Sequence, residues 1–217
     1  MNNTPVLKSG ITLATIAAIC TAMVALTYGL TAGRIAANQK AWLEQSLTPA
    51  LSGLSYDSGI TDSMIVIAPP HSLPGSEEVV IYRVFNENEP VAALFVVTAR
   101  DGYAGPIRFL VGIDIHGALT GVHILEHRET PGLGDRIEPT RSDWVRQFEG
   151  RSLGNPEPAG WRIKSDGGRF EGLTGASVTP RAVVKAIRQT LLYFAENKDR
   201  VFDGGNEKTG IEEKGKV

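Results

Sequence analysis

A single cysteine, Cys20, stands among 217 residues. One thiol can neither close an intramolecular disulfide nor furnish a multi-cysteine zinc or iron–sulfur site. Excess charge of either sign is also missing: 22 basic and 24 acidic side chains leave a formal net charge of -2 and a pI near 6.1. That balance lacks the electrostatic footprint of a nucleic-acid binder, so nucleic acid is not an expected partner. At 42% hydrophobic and 21% charged, the chain is neither a disordered tail nor a polytopic membrane protein. Its length suits one globular domain plus an appendage.

One stretch lacks charge altogether. Nothing from Ser9 to Gly33 (SGITLATIAAICTAMVALTYGLTAG) is ionisable apart from Cys20 and Tyr28. A bilayer core of about 30 Å needs roughly 20 helical residues, so residues 9–33 are long enough to span with some tilt. Small residues along it (Ala14, Ala18, Ala22, Ala25, Gly29) would permit close approach of a neighbouring helix. A cleaved signal peptide is the rival reading. Against it, the run exceeds the usual apolar length of about 7–15 residues, and a helical pattern continues through Lys40. Lys8 on one side and Arg34 and Lys40 on the other give no orientation by the positive-inside rule. Cys20 lies mid-segment, where it acts as a small hydrophobe.

The remainder divides readily. Residues 34–52 place Ile35, Trp42, Leu43 and Leu47 at near-helical spacing, which predicts a stalk helix ending near Pro49. Strands are predicted over Met64–Ala68, Glu78–Phe85, Val91–Ala99, Ile107–Ile113 and Leu119–Leu125, each rich in Val, Ile or aromatics and bounded by turn residues. Asn86–Glu89 reads as a hairpin turn, residues 142–148 as a short helix, and Trp161–Lys164 as one more strand. Pro180 to Asn197 carries Val183, Val184, Ile187, Leu191 and Phe194 on one face, with Thr179 as the expected N-cap. Residues 198–217 mix five bases with five acids and are expected to be disordered. The whole predicts an α+β domain over 53–197 with a mostly antiparallel sheet.

The chemistry concentrates in two places. Leu173-Thr-Gly-Ala-Ser-Val-Thr-Pro180 sets hydroxyls and small residues directly before a helix, where free N–H groups and the dipole favour an anion. On physical grounds alone this is an N-cap and small-residue turn able to meet a phosphate. Glu129-Thr-Pro-Gly-Leu-Gly134 is by itself a Pro/Gly loop. His123, Glu126, His127 and Glu129 are metal-ligating types, but no ligand-spacing signature is complete and no metal is expected. Arg108, Arg136 and Arg169 are candidate phosphate partners against the plainer reading of solvated arginines.

Thr174-Gly175-Ala176-Ser177 resembles the Ser/Thr-Gly-Ala-Thr flavinylation motif of FMN-binding proteins, in which a flavin transferase joins FMN by a phosphoester to the last hydroxyl residue. Together with Asp101-Gly-Tyr-Ala-Gly105, Phe109-Leu-Val-Gly-Ile113, Glu126–Asp135, Ser142-Asp-Trp144, Lys164–Gly168 and Thr174–Val184, the chain is similar to the G subunit of the Rnf/Rsx ion-translocating electron-transport complex. The C subunit of the sodium-pumping NADH:quinone oxidoreductase shares both motifs but is typically longer.

The resemblance implies covalent FMN on Ser177, with Thr174, Gly175, Ala176, Val178 and Thr179 around the phosphate. Glu129, Thr130, Gly132, Leu133 and Gly134 are implied to lie near the flavin ring. It also implies a flavin transferase for maturation and partner subunits that are integral-membrane, iron–sulfur or flavin proteins, passing electrons between ferredoxin and NAD. A single-pass anchor in the lipid of the inner membrane, residues 1–8 in the cytoplasm and a periplasmic domain complete the expectation. Ser177 replaces the usual Thr and Glu171 a common Asp; an unflavinylated scaffold subunit is the contrasting alternative.

Overall fold

The computed structural model describes residues 13–28, 31, 44–57, 59–75 and 77–202. The chain forms two units, Met1–Leu43 and Glu44–Val217. In the first, residues 13–28 and 31 are helical. The Thr21 and Thr31 hydroxyls donate to the carbonyls of Ala17 and Thr27 one turn back, which satisfies them without water. Among the described residues no helix is long and apolar enough to cross a membrane. The ends of the 9–33 segment, residues 1–8, most of the expected stalk (34–43) and residues 203–217 lie outside the described residues.

The second unit is built on a five-stranded antiparallel meander: β1 (Met64–Ile67), β2 (Val79–Asn86), β3 (Glu89–Ala99), β4 (Ile107–Asp114) and β5 (Leu119–Glu126), in that spatial order. Each strand's ends fall within two residues of its predicted span. The β2–β3 turn carries Glu87 and Asn88 at φ 50° and 69°, the doubly left-handed turn that matches strand twist in a tight hairpin. The long helix Val178–Phe202 covers one face of the sheet, chiefly over β3, where Phe95 meets Tyr193 and Phe194 edge-on at 6.4 and 6.1 Å. Lys185 pairs with Asp101, which holds the first turns of this helix beside the β3–β4 connection.

The opposite face is closed by the segment expected as the end of a stalk. Residues 44–47 are helical and Thr48–Leu51 a 3-10 turn, with Leu47, Ala50 and Leu51 all buried. The α-helical residues stop at Leu47, near Pro49 as expected, and Pro49 stands second in the tighter turn, where its missing N–H costs nothing. Gly112 and Gly121 face each other across β4 and β5 and leave the sheet flat beneath this turn. A Cβ on Gly112 would stand 2.1 Å from the Ala50 carbonyl. Thr120 donates its hydroxyl to that same oxygen. The compact unit therefore begins at Glu44, and residues 44–52 belong to it.

Three further expectations are corrected. Trp161–Lys164 is no strand: Ile163 makes a single bridge to Phe170 between 3-10 turns at Pro158–Gly160 and Lys164–Asp166. Its aromatic residues serve instead as core anchors, Trp161 and Phe170 packing at 4.8 Å and Phe170 on Phe148 at 4.9 Å. The expected short helix at 142–148 is a 3-10 turn, Trp144–Phe148. The terminal helix starts two residues before Pro180 and runs through a kink at Asn197 to Phe202, with Val201 buried. Residues 198–202 are thus ordered helix, where disorder was expected.

Candidate functional site

The polypeptide leaves β5 through His127, whose side chain fixes the first loop. The Glu129 amide donates to His127 Nδ1 at 3.0 Å, so that nitrogen is the acceptor. The other ring nitrogen then carries the proton and donates to Glu138 Oε1 at 2.8 Å. Beyond it the Thr130 carbonyl accepts the amides of Leu133 and Gly134, both at 3.1 Å, curling residues 130–134 into a tight turn. Gly132 supplies the left-handed conformation there, φ 78°.

Glu129 is only 4% exposed, so its carboxylate needs partners. The Thr179 hydroxyl donates to Oε2 at 2.5 Å and the Ala104 amide to Oε1 at 3.1 Å. One buried carboxylate thus joins the loop after β5, the β3–β4 connection and the first turn of the long helix. Glycines make the approach feasible: a Cβ on Gly134 would lie 2.7 Å from Oε2, and one on Gly102 2.9 Å from Oε1.

The second loop, residues 173–177, closes with the Ala176 amide on the Leu173 carbonyl at 3.0 Å. Gly175 is left-handed at φ 82°, and its missing Cβ leaves room for Leu133, whose Cδ2 would be 3.1 Å away. The two loops expected on sequence grounds are therefore neighbours in space. Around their junction Leu133 and Val178 keep 42% and 40% of their surface exposed, an apolar rim beside the hydroxyl of Ser177.

Ser177 precedes the helix and is exposed; it, rather than Thr179, occupies the cap position. Thr179 lies within the first turn, fully buried and committed to Glu129. The residue one turn beyond Ser177 is Arg181. Its Nη1 donates to Ser177 Oγ at 3.1 Å, while Nε and Nη2 grip Asp166 side-on at 2.6 and 2.7 Å. This contact holds the Asp166 carboxyl below the usual carboxylate range and raises Arg181 above its ordinary value. The Arg181–Asp166 pair was missed in the sequence. The signal was the four-residue spacing from Ser177, legible only once the helix is known to start at Val178.

Arg108, Arg136 and Arg169 make no contact with Ser177 among the described residues. Arg108 lines a cleft of about 630 Å³ with Arg100 and Arg128, where Glu77, Glu78 and Glu126 balance the charge. Glu171 pairs with Lys164 and accepts the Trp144 indole N–H on its carbonyl, so it braces the loop from behind. Thr130 joins the loop through its carbonyl and leaves its side chain exposed.

These residues fit a tethered flavin phosphate. The hydroxyl is accessible, a guanidinium adjoins it, Gly175 and Ala176 add no bulk, and the apolar rim suits a flat ring. The FMN-binding domain family matches residues 102–192, which contain both loops, and the RnfG N-terminal region matches residues 1–49. The G subunit of an ion-translocating oxidoreductase complex from Pseudoalteromonas atlantica is 37% identical over 200 residues, covering 92% of this chain and 93% of its own. The corresponding G subunit of Pseudomonas aeruginosa is 40% identical over 90% of this chain and 91% of its own. That of Yersinia pestis is 41% identical over 86% and 89%. Likeness at this level over nearly the whole length, with both loops inside the matched domain, means that the chain belongs to the family of G subunits of ion-translocating oxidoreductase complexes.

Proposed function

We propose that this protein is the membrane-anchored, electron-carrying G subunit of an ion-translocating oxidoreductase, with FMN held on Ser177 through a phosphoester. The observation that carries the reading is the exposed Ser177 hydroxyl beside Arg181, inside the span matched by the FMN-binding domain. Thr179, the other hydroxyl of the motif, is buried and bonded to Glu129, which argues against attachment there.

Attachment is a phosphoryl transfer from a flavin phosphoanhydride, delivered by a transferase. The Ser177 Oγ–P bond forms, the anhydride P–O bond breaks with departure of the nucleotide phosphate, and the hydroxyl proton is released. No electrons change hands. When bound, FMN supplies one- or two-electron chemistry at its ring. The protein's part is to tether and orient. Ser177 fixes the phosphate, and Thr174, Gly175 and Ala176 leave space for it. Val178 and Leu133 give apolar cover, and Glu129, Gly132 and Gly134 hold the neighbouring loop in register. A cofactor fixed this way does not exchange, so the protein carries electrons between other subunits of the complex.

Residues 9–33 serve as a single membrane helix in the inner membrane, with 1–8 cytoplasmic and the domain periplasmic. The uncharged run and the match of residues 1–49 to the RnfG N-terminal region support this. A membrane helix without an acidic or basic residue offers no ion path of its own, so translocation belongs to partner subunits.

Flavin absorbance after denaturation and exhaustive washing tests the attachment. We expect it in protein co-expressed with a flavin transferase and its loss in Ser177→Ala. A colourless wild-type protein would favour the scaffold reading. Carbonate extraction tests the anchor: the chain stays with the membrane pellet, whereas release to the supernatant would refute a spanning helix.

A further inference from the structure

We infer that Arg181, set in place by Asp166, is the receptor for the phosphate carried on Ser177. The inference deepens the reading of Ser177 as the attachment residue and rests on it. Asp166 takes Nε and Nη2 of the guanidinium in a two-point contact, which fixes the plane of the fork and leaves Nη1 to reach Ser177 Oγ at 3.1 Å.

In the free hydroxyl form, Oγ accepts that hydrogen bond. Once esterified, Oγ becomes a poor acceptor, but the unesterified phosphate oxygens lie one P–O bond beyond it. Nη1 needs only a small displacement to donate to them, because the rest of the guanidinium is already committed. A lysine at this position would carry the charge without the fork, so it could not grip the carboxylate at two points while reaching the phosphate. Among the described residues, no other cation contacts Ser177.

The arrangement assigns different tasks to the two ionic residues. Arg181 meets the ligand; Asp166 is a positioning residue whose side chain hydrogen-bonds Arg181 and Ser165, with the charge of Arg162 also acting on it. Both are partly exposed, at 46% and 31% of their side chains, so the receptor stands open to a large transferase delivering the flavin.

A test independent of flavin uses phosphoserine incorporated at position 177 of the full chain, followed by phosphorus NMR across pH. Opposite charge in contact lowers an acid's pKa by about 1–3 units, and exposure places this case at the low end. We expect the phosphoserine midpoint to lie about one unit lower with Arg181 than in Arg181→Met, and Arg181→Lys to recover only part of that difference. Equal midpoints for wild type and Arg181→Met overturn the receptor. Full recovery by Lys overturns the part given to Asp166. Melting curves of the unphosphorylated variants establish that each is folded. If no flavin adduct ever forms on Ser177 but the titration shifts as expected, the attachment reading fails while Arg181 remains a phosphate receptor. If an adduct forms but the midpoints do not shift, the attachment reading stands and the receptor falls.

Discussion

The two loops of the site are held by opposite means. Residues 127–135 are pinned from inside: beside the Glu129 amide bond to His127 within the loop, His127 and the buried Glu129 carboxylate hydrogen-bond to three other segments, at Ala104, Glu138 and Thr179. Residues 173–177 are held from outside, by a turn of small residues and an exposed ion pair on the following helix. A loop that supports a ring must keep its shape, and buried hydrogen bonds supply that stiffness. A loop that is to be modified must fit into another protein's active site, and its contacts are weak and accessible. On the proposed reading, rigidity sits on the side that would orient the flavin ring, and openness on the side that would be modified.

Glu129→Ala is the hardest blow to this contrast. It strips the acceptor from the Thr179 hydroxyl and the Ala104 amide. At about 1–3 kcal/mol for the buried Thr179 hydroxyl left unpaired, and less for the amide of exposed Ala104, stability in a urea melt should fall by roughly 2–3 kcal/mol. A loss as small as that of a surface substitution would mean that the first loop is not pinned from inside. Gly175→Ala should cost about 1–2 kcal/mol, since a side chain must adopt φ 82° and press on Leu133. That change strains both loops at their junction, so it should also lower the yield of flavin adduct.

Acid should separate the two regions by pH window. Burial lowers the pKa of His123, on the strand leading to the first loop. The unfolded chain then takes up the proton first, so stability present above about 6.5 is lost as pH falls from there toward the folded value. Asp166, beside the second loop, is held low by Arg181, so its contribution persists until the pH falls below the unfolded carboxylate value and through the folded one. His123→Gln should flatten the melting-temperature profile near pH 6 and leave the acidic limb intact; Asp166→Asn should do the reverse. The smallest effect expected is from Arg181→Met in the unmodified protein: its melting temperature at neutral pH should fall only slightly, by the contribution of an exposed pair, and its acidic limb should flatten as in Asp166→Asn.

Much of this was legible in the sequence, and the rest was hidden for physical reasons. All five strands could be read from alternation and turn residues, because a meander pairs neighbours and asks for no long-range information. The two motif loops were legible as residues, and their adjacency was implied only by resemblance, because the buried contact between Glu129 and Thr179 spans 50 positions. Residues 44–52 read as a stalk because half-helical apolar spacing looks alike whether it faces a partner or its own sheet. The cue was in the sheet: Gly112 and Gly121 in strands otherwise rich in branched residues mark a place where another backbone lies close. Thr179 looked like the cap because Pro180 is usually a first-position residue. The helix instead begins at Val178, and Pro180 is tolerated two steps later because the amides of the first turn have no intrahelical acceptor. That two-residue shift is what concealed Arg181.

The central claim is that one exposed serine, set between a pinned loop and an open one, carries the flavin. Intact mass spectrometry of the full chain co-expressed with a flavin transferase tests it most directly, with Ser177→Ala measured alongside. The account predicts wild-type protein heavier by one FMN less one water and a Ser177→Ala chain at its bare mass; an unmodified wild type, or an adduct that survives in Ser177→Ala, would contradict it.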